Sequence, residues 1–294
     1  MQLTEMTYEI KDAIAYVGFG KFEKKSMTTL TAVSLGELKE ILLDVGVKEK
    51  KREVKALIIF SHKPGVFLAG MDVNVINSLK NEAEAARGAE QGQDLFNMIE
   101  DLNIPSAALV DGVCLGGGLE MSLACKRIYA SDNSKTALGV PEVMLGVLPG
   151  FGGTYRLPRK VGLPGALDMI LTGRQVRAKA ALKMGLVEGI LPSERMLELA
   201  PALLMRPVPN QKGGMEKTFE RVATENFLTR KIIFQKAREK VLEQSKGFYP
   251  APLKILEVLE SGHGKSRSAY LAMEAQAFGE LSQTVVSKNL QHIC

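Results

Sequence analysis

Residues 110–158, VDGVCLGGGLEMSLACKRIYASDNSKTALGVPEVMLGVLPGFGGTYRLP, constrain the fold more than any other stretch of the chain. They contain two glycine-rich turns, Gly116-Gly117-Gly118 and Gly150-Phe151-Gly152-Gly153, each opening a predicted helix. Successive glycines are costly in backbone entropy, so they mark places where φ is unusual or where the chain must approach something closely. A helix starting there presents N–H groups without intrahelical partners and the positive end of its dipole. Such a terminus suits a phosphate, a developing oxyanion or simply tight helix packing. Glu120 falls in the first turn of the first helix, where a carboxylate also suits the dipole structurally. Glu142 follows Pro141 and precedes Val143, Met144 and Leu145, a setting in which a charge is costly unless paired or used. Two carboxylates in such surroundings perturb each other's titration, which fits one to accept a proton while the other donates one.

GVCLGGGLEMSLAC and LGVPEVMLGVLPGFGGTYRLPR closely resemble the enoyl-CoA hydratase (crotonase) superfamily, and FLAGMDV, at 67–73, resembles its Ala-Gly-(Ala/Ser)-Asp loop. KMGLVEGILP, YPAPLKILEVLESG and EAQAFGELSQTVVSK extend the similarity over most of the 294 residues, toward the N-terminal hydratase portion of multifunctional fatty-acid oxidation alpha subunits. The resemblance implies an α/β fold, a spiral of ββα units with a helical C-terminal region. It implies Glu120 and Glu142 as catalytic groups and the N–H groups of Met71 and Gly117 as an oxyanion hole. It also implies Ala69, Gly70, Asp72, Gly116 and Gly150 as substrate-binding positions, with the Gly150 N–H orienting a water. Where the family usually carries Ala or Ser, this chain has Met71; backbone donation survives any side chain, but a longer one reshapes the acyl or pantetheine path.

Composition agrees with a globular chain: 46% hydrophobic and 24% charged residues, with a mean hydropathy of +0.02, in a chain long enough for a sizeable core. The net charge of +5 is the balance of 38 basic and 33 acidic residues spread along the sequence, which argues against nucleic acid and mildly favours an anionic ligand. Three cysteines, Cys114, Cys125 and Cys294, and three histidines, His62, His263 and His292, lack metal-ligand spacing. Cys114 and Cys125 read as buried structural thiols and His62 as a loop histidine. No secretory or transit segment and no apolar run of membrane-spanning length is recognised, so the cytoplasm is the expected compartment.

Along the chain, 7–10 and 14–19 read as a hairpin around Lys11-Asp12-Ala13. Lys21, Lys24 and Lys25 read as a solvated turn that the resemblance places near the CoA nucleotide. Helical spacing over 34–47 and 82–102 alternates with strands at 54–60 and 106–110, and 127–130 and 136–138 read as short strands, with Pro141-Glu142 ending the second. Helices follow over 154–161, 165–171 and 178–184, then a strand over 187–191 and a helix over 193–204. RPVPNQKGG, 206–214, reads as a linker that separates a spiral core, 1–205, from a helical region, 206–294, with helices at 216–224, 228–243, 252–260 and 266–281. In the resembling alpha subunits such a region leads into a Rossmann-type dehydrogenase domain; no strand followed by G-x-G-x-x-G and a helix occurs in this sequence.

The expected reaction is addition of water to a trans-2-enoyl-CoA, giving a 3-hydroxyacyl-CoA, with CoA entering as part of the substrate and no other cofactor. Enoyl-CoA double-bond isomerisation and thioester hydrolysis could use the same oxyanion hole, and a non-catalytic assembly subunit is the reading from another class. The resemblance implies either a thiolase beta subunit or further copies of the chain as partner.

Overall fold

The computed structural model describes residues 3–20, 27–72, 75, 79–206 and 226–293. The lysines at 21, 24 and 25, most of the predicted linker and the predicted helix over 216–224 lie outside these residues.

The chain opens with the expected hairpin, β1 (Met6–Lys11) and β2 (Ile14–Phe19), paired antiparallel from Met6↔Phe19 to Lys11↔Ile14. Helix α1 (Ala32–Lys50) follows, its N-terminus held by a reciprocal capping box between Thr31 and Ser34. Three strand-strand-helix units come next: β3 (Ala56–Ser61), β4 (Val66–Leu68) and α2 (Glu82–Glu100); β5 (Ser106–Val110), β6 (Val113–Leu115) and α3 (Gly117–Ala124); then β7 (Arg127–Ser131), β8 (Ala137–Gly139) and α4 (Gly153–Thr172). The first strands of the units run parallel in one sheet, with β5 between β3 and β7; the second strands do the same in another, with β6 between β4 and β8. Each unit therefore stacks on the one before it as a turn of a spiral. The α/β spiral expected from the sequence is the fold observed.

Remaining strands close the two sheets. Strand β9 (Val176–Arg177) adds antiparallel to β8, and β10 (Gly189–Leu191), after helix α5 (Ala178–Met184), adds parallel to β7. Helix α6 (Met196–Leu204) covers a small apolar cluster of Ile58, Ala107, Leu109 and Tyr129 on the outer face of the first sheet. The short strands β4, β6 and β9 are absent from the sequence reading, because two or three residues are too few to show a period. Pro141 does not end a strand; it opens a 3-10 helix, Pro141–Leu145, that carries Glu142. The separate helices expected over 154–161 and 165–171 meet at Gly162, whose φ of 79° is non-helical, within α4.

Among the described residues, four helices follow the core: α7 (Phe227–Ser245), α8 (Pro250–Ser261), α9 (Arg267–Ser282) and α10 (Val285–Ile293), the last of which the sequence does not suggest. Helix α9 packs along α2, where Gly279 lies so close that a Cβ would stand 2.5 Å from the Glu82 carbonyl oxygen. The Tyr270 hydroxyl donates to the Thr154 carbonyl at 2.9 Å, tying α9 to the start of α4. Tyr249 donates to the Val143 carbonyl and Ser287 to that of Leu145, so both α8 and α10 grip the 3-10 helix.

Candidate active site

The second spiral unit sets one wall of the site. Strand β6 ends at Leu115, and Gly116 turns the chain into α3 with φ 52° and ψ −127°, a conformation that a side chain opposes. A Cβ there would also lie 2.6 Å from Glu142 Oε1. Two residues on, a Cβ at Gly118 would meet the Leu68 Cβ and carbonyl oxygen at 2.7 Å, so the start of α3 packs directly on β4. The Gly117 N–H, first in the helix, makes no hydrogen bond to any described residue.

Opposite it runs the segment after β4. Leu30 and Met71 form an isolated parallel bridge in which the Leu30 N–H donates to Gly70 at 2.8 Å and the Asp72 N–H to Leu30 at 3.3 Å. In a parallel bridge the flanking residues make both bonds, so the Met71 N–H points away from Leu30. It has no hydrogen-bond partner among the described residues.

Met71 and Gly117 line a cavity of about 960 Å³ together with Ala69, Gly116, Glu120, Glu142 and Gly150. Its remaining walls are largely apolar, with Leu30, Leu79, Met98, Phe151 and Phe278 among them. Gly70 and Asp72 do not line it. They shape the loop instead: Gly70, at φ 96°, backs onto Leu115, and the Asp72 backbone holds Leu30 and Val75. His62 lies elsewhere, with its ring 2.7 Å from Thr7 Oγ1, and burial pushes the thiols of Cys114 and Cys125 up to about 12, away from thiolate chemistry.

The two glutamates differ in environment. Glu120 is 2% exposed, and its Oε1 accepts the N–H groups of Phe151 and Gly153, each at 2.8 Å, from the turn that opens α4. Burial, then the charges of Glu142 and Glu274, hold its carboxyl well above the usual carboxylate range, against the pull of those two N–H groups. The Oε2 of Glu142 is buried without a hydrogen-bond partner among the described residues. Burial pushes this carboxyl up to about 7; its own N–H opposes the rise and Glu274 adds to it.

Glu274 and Gln93 have no role in the sequence reading. Glu274, on α9, is fully buried; it accepts the N–H groups of Gly152 at 2.6 Å and Thr154 at 3.0 Å, together with the Thr154 hydroxyl. Gln93, on α2, donates its amide at 3.0 Å to Gly150, Leu271 and Glu274. Both occupy the apolar stripes of their helices, Gln93 in step with Ala85, Ala89 and Phe96, and Glu274 with Tyr270, Leu271, Phe278 and Leu281. A polar side chain on such a stripe is the one signal by which the sequence could have marked them, though not their partners. Among the described residues no group of three or more His, Cys, Asp or Glu could hold a metal ion, and no helix is long and apolar enough to cross a membrane.

Met71 and Gly117, whose N–H groups have no partner among the described residues, thus share one largely apolar cavity with Glu120 and Glu142. The chain belongs to the enoyl-CoA hydratase/isomerase family, whose model matches residues 9–246. It is 44% identical over 245 residues to a fatty acid oxidation complex subunit alpha of Idiomarina loihiensis, covering 83% of this chain and 35% of that protein. It is 41% identical over 269 residues to the protein of the same name from Shewanella frigidimarina, covering 92% and 38%. The chain thus spans little more than a third of these relatives. Among solved structures, Pseudomonas aeruginosa DspI is 26% identical with a TM-score of 0.63, covering 83% of this chain and 97% of that one. An enoyl-CoA hydratase from Bacillus anthracis, 24% identical with a TM-score of 0.62 over 96% and 92%, shares the fold.

Proposed function

We propose that the chain hydrates trans-2-enoyl-CoA to 3-hydroxyacyl-CoA, as a step of fatty-acid β-oxidation. The observation that carries this reading is that Glu142, whose buried Oε2 has no hydrogen-bond partner among the described residues, lines the same cavity as Met71 and Gly117, whose N–H groups have none there either. A buried acceptor and two donors without partners among the described residues suit a ligand that supplies both complements.

Conjugation makes C3 of the enoyl thioester electrophilic, and attack there moves charge onto the thioester oxygen. Met71 and Gly117 N–H groups would stabilise that charge; removing one such donor from other enzymes costs about 3 to 4 kcal/mol. Glu120, held by Phe151 and Gly153, would take a proton from the attacking water, with the Gly150 N–H helping to orient it. Glu142, poised near neutrality, would give a proton to C2. Water thus contributes OH to C3 while Glu142 contributes H to C2, and the two carboxyls exchange the proton difference before the next turnover. Met71, the Ala69 backbone and Gly116 would line the path of the thioester. Two carboxyls favour hydration over isomerisation alone, since double-bond migration needs a single well-placed one.

The relatives' name, subunit alpha of a complex, supports a partner subunit, for which we propose a thiolase beta subunit, and the cytoplasm is the proposed compartment. Residues 1–205 are read as the spiral core and 206–294 as the region that completes it. The test is loss of the conjugated-thioester ultraviolet absorbance of short and medium trans-2-enoyl-CoAs, with the product identified by mass. Formation of 3-hydroxyacyl-CoA is expected. A folded chain that turns over none of them, or that releases free CoA instead, would overturn the reading.

A further inference from the structure

The turn that opens α4 is held from two sides. Gly152 stands at φ 98°, in the left-handed region, and the N–H groups of the turn around it alternate between two acceptors. Those of Phe151 and Gly153 reach Glu120; those of Gly152 and Thr154 reach Glu274. Gln93 joins the two systems, donating to the Gly150 carbonyl and to Glu274 Oε1 at 3.0 Å. Glu274 comes from α9, more than a hundred residues beyond the turn it grips.

We propose that Glu274 is a positioning residue for this site: by holding Gly152 and Thr154, it fixes the turn whose other two N–H groups aim Glu120, so the C-terminal helices complete the catalytic centre. The proposal rests on the hydratase reading for its kinetics, though not for its electrostatics.

Three of the hydrogen bonds to Glu274 come from N–H donors, of Gln93, Gly152 and Thr154, and the Thr154 hydroxyl donates the fourth, a set that suits a carboxylate and faces a neutral amide with three donors. The charged and titratable groups around it are Glu120 from α3, Glu142 from the 3-10 helix, Arg156 from α4 and Tyr270 from its own helix. Burial holds its carboxyl above the usual carboxylate range, against the pull of Thr154, Gly152, Gln93 and Arg156. A negative charge at this place disfavours a second one on Glu120 or Glu142. Removing it therefore lets both release their protons at lower pH.

The experiment compares the chain with its Glu274→Gln, Glu274→Asp and Thr154→Val variants, reading carboxyl titration by 13C NMR without substrate and enoyl-CoA hydration across pH. Glu274→Gln is expected to move the Glu142 midpoint below its value of about 7. It is also expected to lower kcat by about tenfold to a hundredfold with little change in KM, the signature of a displaced group rather than a lost binding contact. Its pH–rate profile moves to lower pH with the midpoint. Glu274→Asp keeps the charge and the wild-type midpoint while losing part of kcat, and Thr154→Val does the same by removing one donor. A folded Glu274→Gln with unchanged midpoint, kcat and pH profile would overturn the proposal. If that variant does not fold, wild-type kcat in both Glu274→Asp and Thr154→Val would overturn it. Absence of hydration by the wild type would strike the hydratase reading alone, and an unmoved Glu142 midpoint in Glu274→Gln would still sink the proposal.

Discussion

Two glycine-rich helix starts stand about thirty-five residues apart in this chain, and they end in opposite states. At α3 the Gly117 N–H opens onto the cavity with no partner among the described residues, and Gly116 leaves room for Glu142 beside it. At α4 the N–H groups of four successive residues, Phe151 to Thr154, are taken up by two buried carboxyls of the chain itself, Glu120 and Glu274. The same backbone device therefore serves two ends. One terminus is left for a ligand's developing charge, and the other is filled so that a catalytic group has a fixed place.

Removing the carboxyls breaks that division most severely. Glu120→Gln keeps an oxygen for the N–H groups of Phe151 and Gly153 but removes the base, and Glu142→Gln removes the proton source. Each is expected to lower kcat by about a hundredfold to ten-thousandfold in the enoyl-CoA assay while circular dichroism stays native. Next comes Gly116→Ala, which crowds Glu142 Oε1 and forces a side chain to adopt a φ of 52°. It is expected to lower kcat about a hundredfold and to destabilise the fold by at least about 1 kcal/mol in a urea melt.

Stability against pH sharpens the contrast between filled and unfilled carboxyls. Glu142 is raised from 4.5 to about 7, so the folded state binds a proton that the unfolded chain gives up sooner. Stability from that proton is present below the unfolded value and is lost as pH rises through about 7, amounting to about 3 kcal/mol once both states are ionised. Glu142→Gln cannot ionise. Denaturant melts should therefore find it more stable than the wild type at pH 8 and equal to it near pH 4, the opposite order from their activities.

The smallest effect lies across the cavity on α2. A Cβ at Gly88 would meet nothing within 4 Å, and the residue lines the cavity wall. Gly88→Leu should add up to about 1 kcal/mol of helix stability while narrowing the space. Turnover of long enoyl-CoAs is expected to fall roughly tenfold relative to short ones, measured as kcat/KM along a chain-length series.

Much of this was readable from one stretch of sequence because its parts are close in the chain. The glycines, Glu120 and Glu142 fall within 116–153, so a single pass along the letters finds them together. The hairpin with its turn at Asp12 and Ala13, both at positive φ, and the alternation of strands and helices were legible for the same reason. Glu274 and Gln93 were not, because their partners lie far away in sequence and only the packing of α9 on α2 brings them to the turn. The 3-10 helix under Glu142 also escaped: a proline after a short apolar run ends a strand and starts a tight helix equally well. The bridge that the Asp72 backbone makes to Leu30 was not legible either, because it joins segments about forty residues apart.

The most direct test of the open and closed helix starts is the infrared stretch of a 13C-labelled thioester carbonyl in a trans-2-enoyl-CoA bound to the Glu120→Gln variant, which binds without rapid turnover. If the Met71 and Gly117 N–H groups both grip that oxygen, the band moves to lower wavenumber than in water, and the shift shrinks in Gly116→Ala. A bound thioester whose carbonyl band stays at its aqueous position would contradict the account, because the α3 terminus would then be empty for some purpose other than holding a developing oxyanion.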